Sequence, residues 1–230
     1  MTSSSWAIPI LAATLLAAPA TAADMSSEKK PEEKAPKPTW TFGLELSPEL
    51  YAIDNGSHRA GDFNNFYYKV SLSHTFAENF VGGVYFQHSF KINDQIQYYA
   101  DARLGYKFKL SDSFTLTPGI GAGYTWRDTG VIKGSNNNAD IAYYLITLAG
   151  DLKVTPKLTW NMFDLRYRNG FDAVWVTPKV ATGLTYNFDS YNALFANVGY
   201  AWKKLDTNSP PYNALSGDKI NIAAGFKRSF

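Results

Sequence analysis

Strict alternation of apolar and polar residues is the dominant pattern in this chain, and it is clearest in segments 96–108 and 114–126. In the first segment every second residue is apolar or aromatic, and the positions between them include Asp101 and Arg103. In the second segment three of the alternate positions are glycine. Because successive side chains of a β-strand point to opposite faces, each segment predicts a strand with one apolar face and one polar or glycine face.

The length of these segments limits the kind of sheet that they can form. Each exceeds ten residues, whereas strands of soluble proteins are typically about five or six residues long. A strand that crosses a membrane needs roughly 9 to 11 residues, with apolar side chains toward lipid and polar side chains toward the interior. The pattern therefore predicts an all-β fold, a transmembrane antiparallel up-and-down β-barrel.

Similar alternating segments fill the chain from residue 40 onward and predict ten strands. Eight or twelve strands are the alternatives, because the phase of the seventh strand, 157–168, and the reading of the loop 204–216 are ambiguous. In the seventh strand Trp160 shares its parity with Asp164, so a β-bulge near Phe163 is predicted to keep the apolar side chains together on the lipid face. Tight turns alternate with longer loops, as they do in transmembrane barrels.

Aromatic residues make up 16% of the chain, and many fall on the outward face near the ends of the predicted strands. Belts of aromatic side chains mark the two interfaces of a membrane barrel. The predicted membrane girdle consists of Trp40, Phe76, Phe80, Phe108 and Trp160 at the turn side, and of Trp126 and Trp202 at the loop side. The two belts predict that turns and loops lie on opposite sides of the membrane.

The first 39 residues differ in composition from the rest. An apolar run, 6–18, precedes the small residues 20–22, which is typical of a secretory signal peptide over 1–22, although the usual positive charge is missing from the first five residues. Residues 23–39 are rich in Ser, Glu, Lys and Pro and predict a disordered periplasmic arm. The barrel is therefore expected to comprise residues 40–230.

The chain ends in an alternating segment whose last residue is aromatic. Ile222, Ala224, Phe226 and Phe230 follow the alternation, and Arg228 departs from it. This segment resembles the C-terminal assembly signal of bacterial outer-membrane β-barrel proteins, in which Phe226 and Phe230 would carry the signal. The resemblance implies a location in the outer membrane of a Gram-negative bacterium, with outer-membrane lipid and the barrel-assembly machinery as partners.

Composition argues against several kinds of site. The chain has no cysteine and only three histidines, so thiolate and multi-histidine metal sites lack ligands, and no cofactor is expected. A formal charge of +2 gives no support to nucleic-acid binding. His88 and Ser89 are adjacent in a predicted strand and must face opposite sides, so they cannot form a nucleophile and base pair. The chain is therefore not expected to be an enzyme.

The predicted lumen carries more basic than acidic side chains. Outside the seventh strand the inward positions hold ten bases and four acids, an excess of six positive charges. A single-sign excess in a narrow tube of low dielectric constant favours ions of opposite sign. The predicted lumen-lining residues are Glu45, Glu49, Lys69, Tyr85, Tyr99, Asp101, Arg103 and Lys179.

These observations leave two main functions open. The first is a small porin-like barrel with a narrow, anion-preferring channel for small solutes. The second is a non-conducting structural or surface-interaction barrel, similar to an adhesin. Side chains fill barrels of about eight strands, whereas sixteen strands leave a channel, so ten strands lie nearer to the filled limit. A membrane-embedded hydrolase is less favoured, because the strand alternation leaves no matched nucleophile and base.

Overall fold

The computed structural model describes residues 39–54, 59–77, 79–90, 95–129, 141–171, 175–202, 204–205 and 218–230. The predicted signal peptide, 1–22, and all but the last residue of the predicted arm, 23–39, lie outside these ranges. Among the described residues, no helix is long and apolar enough to span a membrane.

The described residues form thirteen antiparallel β-strand segments. They are β1 (Trp40–Tyr51), β2 (Phe63–Phe76), β3 (Phe80–Ser89), β4 (Gln95–Tyr106), β5 (Phe108–Lys109), β6 (Phe114–Thr129), β7 (Ile141–Lys153), β8 (Leu158–Gly170), β9 (Trp175–Val176), β10 (Lys179–Asn187), β11 (Asn192–Ala201), β12 (Lys204–Leu205) and β13 (Lys219–Ser229). Because β5 continues β4, β10 continues β9 and β12 continues β11, the segments form the ten strands of one barrel.

The barrel closes through one antiparallel pairing in addition to those between consecutive strands. β1 pairs with β13, where the Trp40 amide donates to the Phe230 carbonyl at 3.1 Å and the Phe230 amide donates to the Trp40 carbonyl at 2.9 Å. β10, which continues β9, pairs with both of its neighbours, β8 and β11. Closure pairs the backbone amide and carbonyl groups of the strand edges, which would have no hydrogen-bond partners inside a membrane. The prediction of a closed antiparallel barrel of ten strands is therefore confirmed.

β8 contains the β-bulge that the sequence predicted. Phe163 pairs with Gly150 of β7, but Asn161 pairs with the next residue, Asp151, so Met162 is the extra residue. The register of β8 against β10 shifts at the same place. An extra residue reverses the parity of the strand beyond it. The apolar side chains before and after the bulge therefore share the outer face, where Trp160, Leu165 and Tyr167 are all exposed.

The outer surface is apolar and carries aromatic clusters at both ends. At the turn side, the end with connections 110–113, 154–157 and 188–191, Trp40, Phe76, Phe80, Phe108 and Trp160 are exposed. Phe76 stacks on Phe80 with 5.8 Å between ring centroids. At the opposite end, the loop side, Trp126 stacks on Tyr98 at 5.1 Å and Trp202 packs edge-on against Tyr200 at 4.8 Å. In a membrane barrel such a face contacts lipid.

Candidate functional site

The loop-side half of the lumen contains a packed cluster of large side chains. The cluster consists of Tyr67, Tyr99, Ile141, Tyr143 and Leu145, all less than 9% exposed. Tyr143 fits because the facing position on β6 is Gly123, where a Cβ atom would lie 2.6 Å from the Tyr143 ring. The inward glycine thus permits a close approach between strand and side chain, which is the expected role of glycine within a strand.

Asp101 is the centre of a buried ionic network beside this cluster. Its carboxylate accepts hydrogen bonds from Arg103 Nε at 2.6 Å, from Arg168 Nη2 at 2.7 Å and from the Tyr143 hydroxyl at 3.1 Å. The Asp101 side chain is only 2% exposed. Arg103 also lies over the Tyr85 ring at 4.0 Å. One carboxylate therefore holds two guanidinium groups from different strands across the lumen.

A second ion pair links the first two strands. Lys69 Nζ lies 2.6 Å from Glu45 Oε2, and the two residues are directly opposite in the register of β1 and β2. Opposite charges largely cancel within this pair and within the Asp101 network. These residues therefore contribute less to the electrostatic potential in the lumen than isolated cations would.

Other basic residues of the lumen have no such partner among the described residues, and two of them are neighbours. Arg166 of β8 and Lys179 of β10 are directly opposite in the strand register. Within the part of the chain that the structure describes, neither lies within 4.0 Å of a carboxylate oxygen. Two neighbouring cations without a contacting carboxylate favour a positive potential at this section of the wall.

The lumen contains two cavities that meet at the Glu45–Lys69 pair. The loop-side cavity has a volume of about 70 Å³ and is bordered by Arg166, Arg168 and Lys179. The turn-side cavity has a volume of about 530 Å³ and extends from Arg103 to the turn at Asp189. Glu45 and Lys69 line both cavities. A route between the two cavities therefore passes this ion pair.

The charges that line the two cavities keep the predicted sign but with a smaller excess. The bases are Lys69, Arg103, Lys107, Arg166, Arg168, Lys179, Lys219 and Lys227, and the acids are Glu45, Glu49, Asp151, Asp164 and Asp189. Eight bases against five acids leave three positive charges. Lys153 is one of the ten bases that the sequence places at inward positions, but it lines neither cavity. Three others of the ten, Lys91, Lys203 and the Arg127 side chain, lie outside the described parts of the structure.

The structure brings most of the sequence-selected lumen residues into one region. Glu45, Glu49, Lys69, Tyr99 and Lys179 border the loop-side cavity, and Tyr85 and Arg103 border the turn-side cavity. Asp101 lies buried between them. Sequence reasoning missed Arg166 and Arg168, whereas alternation did place Tyr143 on the inward face. The two arginines could have been found by shifting the phase of β8 by one residue after Phe163, since the bulge turns them inward.

The remaining sequence-selected positions lie on the outside or at the ends of the barrel. His88 faces outward and stacks on Tyr98 at 4.5 Å, while Ser89 is fully buried and accepts a hydrogen bond from the Gln97 amide at 2.6 Å. They do not contact each other as a nucleophile and base would. Phe226 pairs opposite Leu44, and Phe230 is exposed at the end of the barrel. Trp202, although exposed, also borders the loop-side cavity.

No protein-family model matches the chain, and no curated protein matches it by sequence. Among solved structures, an outer membrane channel from Pseudomonas putida F1 matches with a TM-score of 0.53 and 12% identity, over 88% of this chain and 100% of that chain. The NanC porin matches with a TM-score of 0.45 and 12% identity, over 81% and 100% of the two chains. The outer membrane protease OmpT from Escherichia coli matches with a TM-score of 0.42 and 9% identity, over 85% and 98%.

At these identities the likeness is one of fold. Together with the closed ten-stranded barrel and its apolar outer face, it shows that the protein has the fold of outer-membrane β-barrels. Because a shared fold does not define a function, the function must be argued from the lumen of this chain.

Proposed function

We propose that the protein is a small pore of the bacterial outer membrane that passes small solutes and prefers anions. The observation that carries the proposal is the pair of register-matched lumen cations, Arg166 and Lys179, neither of which lies within 4.0 Å of a carboxylate oxygen among the described residues. The apolar outer face and the aromatic belts support a membrane location. The C-terminal segment ending in Phe230 supports insertion through the barrel-assembly machinery of the outer membrane.

The selectivity argument depends on which charges remain unpaired. Lys69 is neutralised by Glu45, and Arg103 and Arg168 share Asp101. Arg166 and Lys179 form no ion pair with a described residue, and neither do Lys107, Lys219 and Lys227, so these lumen cations are not neutralised by a contacting carboxylate. Fixed positive charges in a narrow passage with low-dielectric walls raise the local concentration of anions and lower that of cations.

The size of the lumen supports a narrow pathway rather than a wide one. Barrels of about eight strands are filled by side chains, whereas those of sixteen or more enclose an open channel. In this barrel the turn-side cavity has a volume of about 530 Å³ and extends to the turn-side mouth at Asp189 and Ser190. The loop-side cavity of about 70 Å³ limits the pathway to small solutes.

Conductance in a planar bilayer tests the proposal. Purified, folded protein should conduct in small steps, and in a KCl gradient its reversal potential should move toward the chloride equilibrium potential. The double change Arg166→Gln/Lys179→Gln removes two positive charges without breaking an ion pair, so the anion preference should fall sharply.

The matched control is Lys109→Gln/Lys157→Gln, which removes two charges from exposed positions at the turn side. Its selectivity should remain close to that of the wild type, because charges outside the lumen are screened within about 10 Å at 0.1 M salt. Cation preference in the wild type, or no conductance from demonstrably folded protein, would refute the proposal.

A further inference from the structure

The loop-side cavity has the composition of an anion-binding site. Five bases, Lys69, Arg166, Arg168, Lys179 and Lys219, border it together with only two acids, Glu45 and Glu49. The neutral residues that border it include Tyr67, Tyr99 and Thr177. A cavity with this balance of charge favours a ligand that brings negative charge of its own.

Three polar atoms of residues in this wall lack a hydrogen-bond partner within the protein. They are Arg166 Nε, Arg168 Nε and Thr177 Oγ1, and all three are buried. Arg168 is only 3% exposed and Thr177 only 7% exposed. Buried polar groups in proteins are nearly always hydrogen-bonded. Unsatisfied polar atoms on three residues that border one small cavity leave hydrogen-bonding capacity beside it.

The charges point to the same ligand class. Arg166 and Lys179 are register partners on neighbouring strands and repel each other unless an anion lies between them. Guanidinium groups donate two parallel hydrogen bonds to carboxylate, phosphate and similar oxyanions. A hydroxyl such as that of Thr177 can donate a further hydrogen bond. The site therefore favours a ligand with several oxygen acceptors and one or two negative charges.

The volume of the cavity is compatible with a small ligand of this class. A cavity of about 70 Å³ is well above the roughly 10–15 Å³ that one buried water requires, so it has room for a small polyatomic anion. A tetrahedral oxyanion presents four oxygen acceptors on one central atom. We infer that the loop-side cavity binds a tetrahedral oxyanion, as free phosphate or sulfate or as the terminal phosphate of a small solute.

The inference rests on the proposed function in one respect, since anions must enter the lumen. The inference differs from the proposed function because it predicts a saturable binding site with defined side-chain partners. Anion-preferring conduction requires only a positive electrostatic potential in the lumen. The two can therefore fail separately.

Titration calorimetry of the folded barrel in detergent tests the site, with sodium phosphate, sodium sulfate and sodium chloride at equal ionic strength. Phosphate and sulfate should bind saturably with one site per barrel, and chloride should not. Arg166→Gln/Lys179→Gln should raise the Kd at least tenfold, because charge-assisted hydrogen bonds are lost. Thr177→Val, which keeps the side-chain shape, should cause a smaller loss. Glycerol 3-phosphate tests whether the ligand is a free ion or the phosphate group of a solute. Binding as tight as that of phosphate identifies a site for a phosphate group on a solute. Binding of phosphate but not of glycerol 3-phosphate identifies a site for the free ion.

The exposed double variant Lys109→Gln/Lys157→Gln is again the matched control and should bind phosphate as the wild type does. Absence of saturable binding to folded wild-type protein, or an equal loss in both double variants, would overturn the inference. Anion-preferring conductance without saturable binding would remove the site and leave the pore. Saturable binding without conductance would remove the pore and leave the site.

Discussion

Replacement of Asp101 by asparagine should destabilise the barrel more than any other single removal of charge in the lumen. The carboxylate contacts Arg103 at 2.6 Å, Arg168 at 2.7 Å and the Tyr143 hydroxyl at 3.1 Å. Asparagine has nearly the same size, so Asp101→Asn removes the charge without creating a cavity. It leaves two guanidinium groups facing each other, one of them on the almost fully buried Arg168 side chain.

The expected loss can be estimated from the burial of the three groups. Removing one partner of a buried ion pair costs about 3–5 kcal/mol. The Arg103 side chain is 20% exposed to the lumen, so water can solvate part of its freed charge. The Arg168 side chain is only 4% exposed and cannot be solvated in the same way. We therefore expect a loss of about 3 kcal/mol, which is roughly a hundredfold change in the folding equilibrium constant.

Urea unfolding in lipid vesicles, followed by tryptophan fluorescence, measures this loss, and gel mobility before and after heating reports whether the barrel is intact. The control is Asp151→Asn. Asp151 also faces the lumen, but it accepts its hydrogen bond from the neutral Asn161 at 2.7 Å and has no ion pair with a described residue. It should lose no more than about 1 kcal/mol.

A double-mutant cycle of Asp101→Asn with Arg168→Gln measures the interaction energy between the two side chains apart from their interactions with other residues. The double variant should recover part of the loss, with a coupling energy of at least about 1 kcal/mol, because no unpaired buried charge remains at position 168. If Asp101→Asn lies within about 1 kcal/mol of the wild type, or if the Asp151→Asn control loses as much, lumen water screens the network and the reasoning is wrong.

Two further predictions use the same unfolding assay. Gly123→Ala should cost about 1–3 kcal/mol by overpacking, since its methyl group would lie 2.6 Å from both the Tyr143 ring and the Asp101 Cβ atom. The control Gly82→Ala should cost less, because its methyl group would meet the movable Phe76 ring at 3.1 Å. Equal losses in the two variants would contradict this prediction. At the turn side, hydrogen bonds from the Asn192 side chain and from the Tyr191 and Asn192 amides lower the pKa of Asp189 below its ordinary 3.8. The ionised Asp189 side chain therefore contributes its full stabilisation above about pH 5, and this stabilisation is lost as pH falls through the lowered pKa. The stability difference between wild type and Asp189→Ala should shrink below pH 3.8. A difference that grows in acid would contradict this prediction.

Much of the fold could be predicted from the sequence because a membrane barrel obeys a simple rule at every position. Each strand must alternate between lipid and lumen, so an apolar face of more than ten residues leaves few alternative folds. The bulge in β8 could be predicted for the same reason. Trp160 and Asp164 share parity in the sequence, and only an extra residue between them allows one to face lipid and the other the lumen.

The pairing of charges across the lumen could not be predicted in this way. Alternation shows that Asp101 and Arg103 face inward, but it does not show which strands lie opposite. Arg168 is 67 residues away in sequence and reaches Asp101 only because the barrel closes. Whether Lys69 and Lys179 are paired was also open. In the structure the first has a partner, Glu45, and the second has none among the described residues.

The seam between β8 and β10 has a consequence for how this barrel opens. Seven residue pairs join β8 to β10, interrupted by the bulge, whereas eleven join β1 to β2 and twelve join β6 to β7. Separating two neighbouring strands of a closed barrel breaks one seam. Among the described residues this seam has the fewest residue pairs, eight when the pair Asn169 and Val176 of the continuing β9 is included, and Arg166 and Lys179 lie opposite each other across it. Amide protons along β8 and β10 should therefore exchange with solvent deuterium before those of β6 and β7.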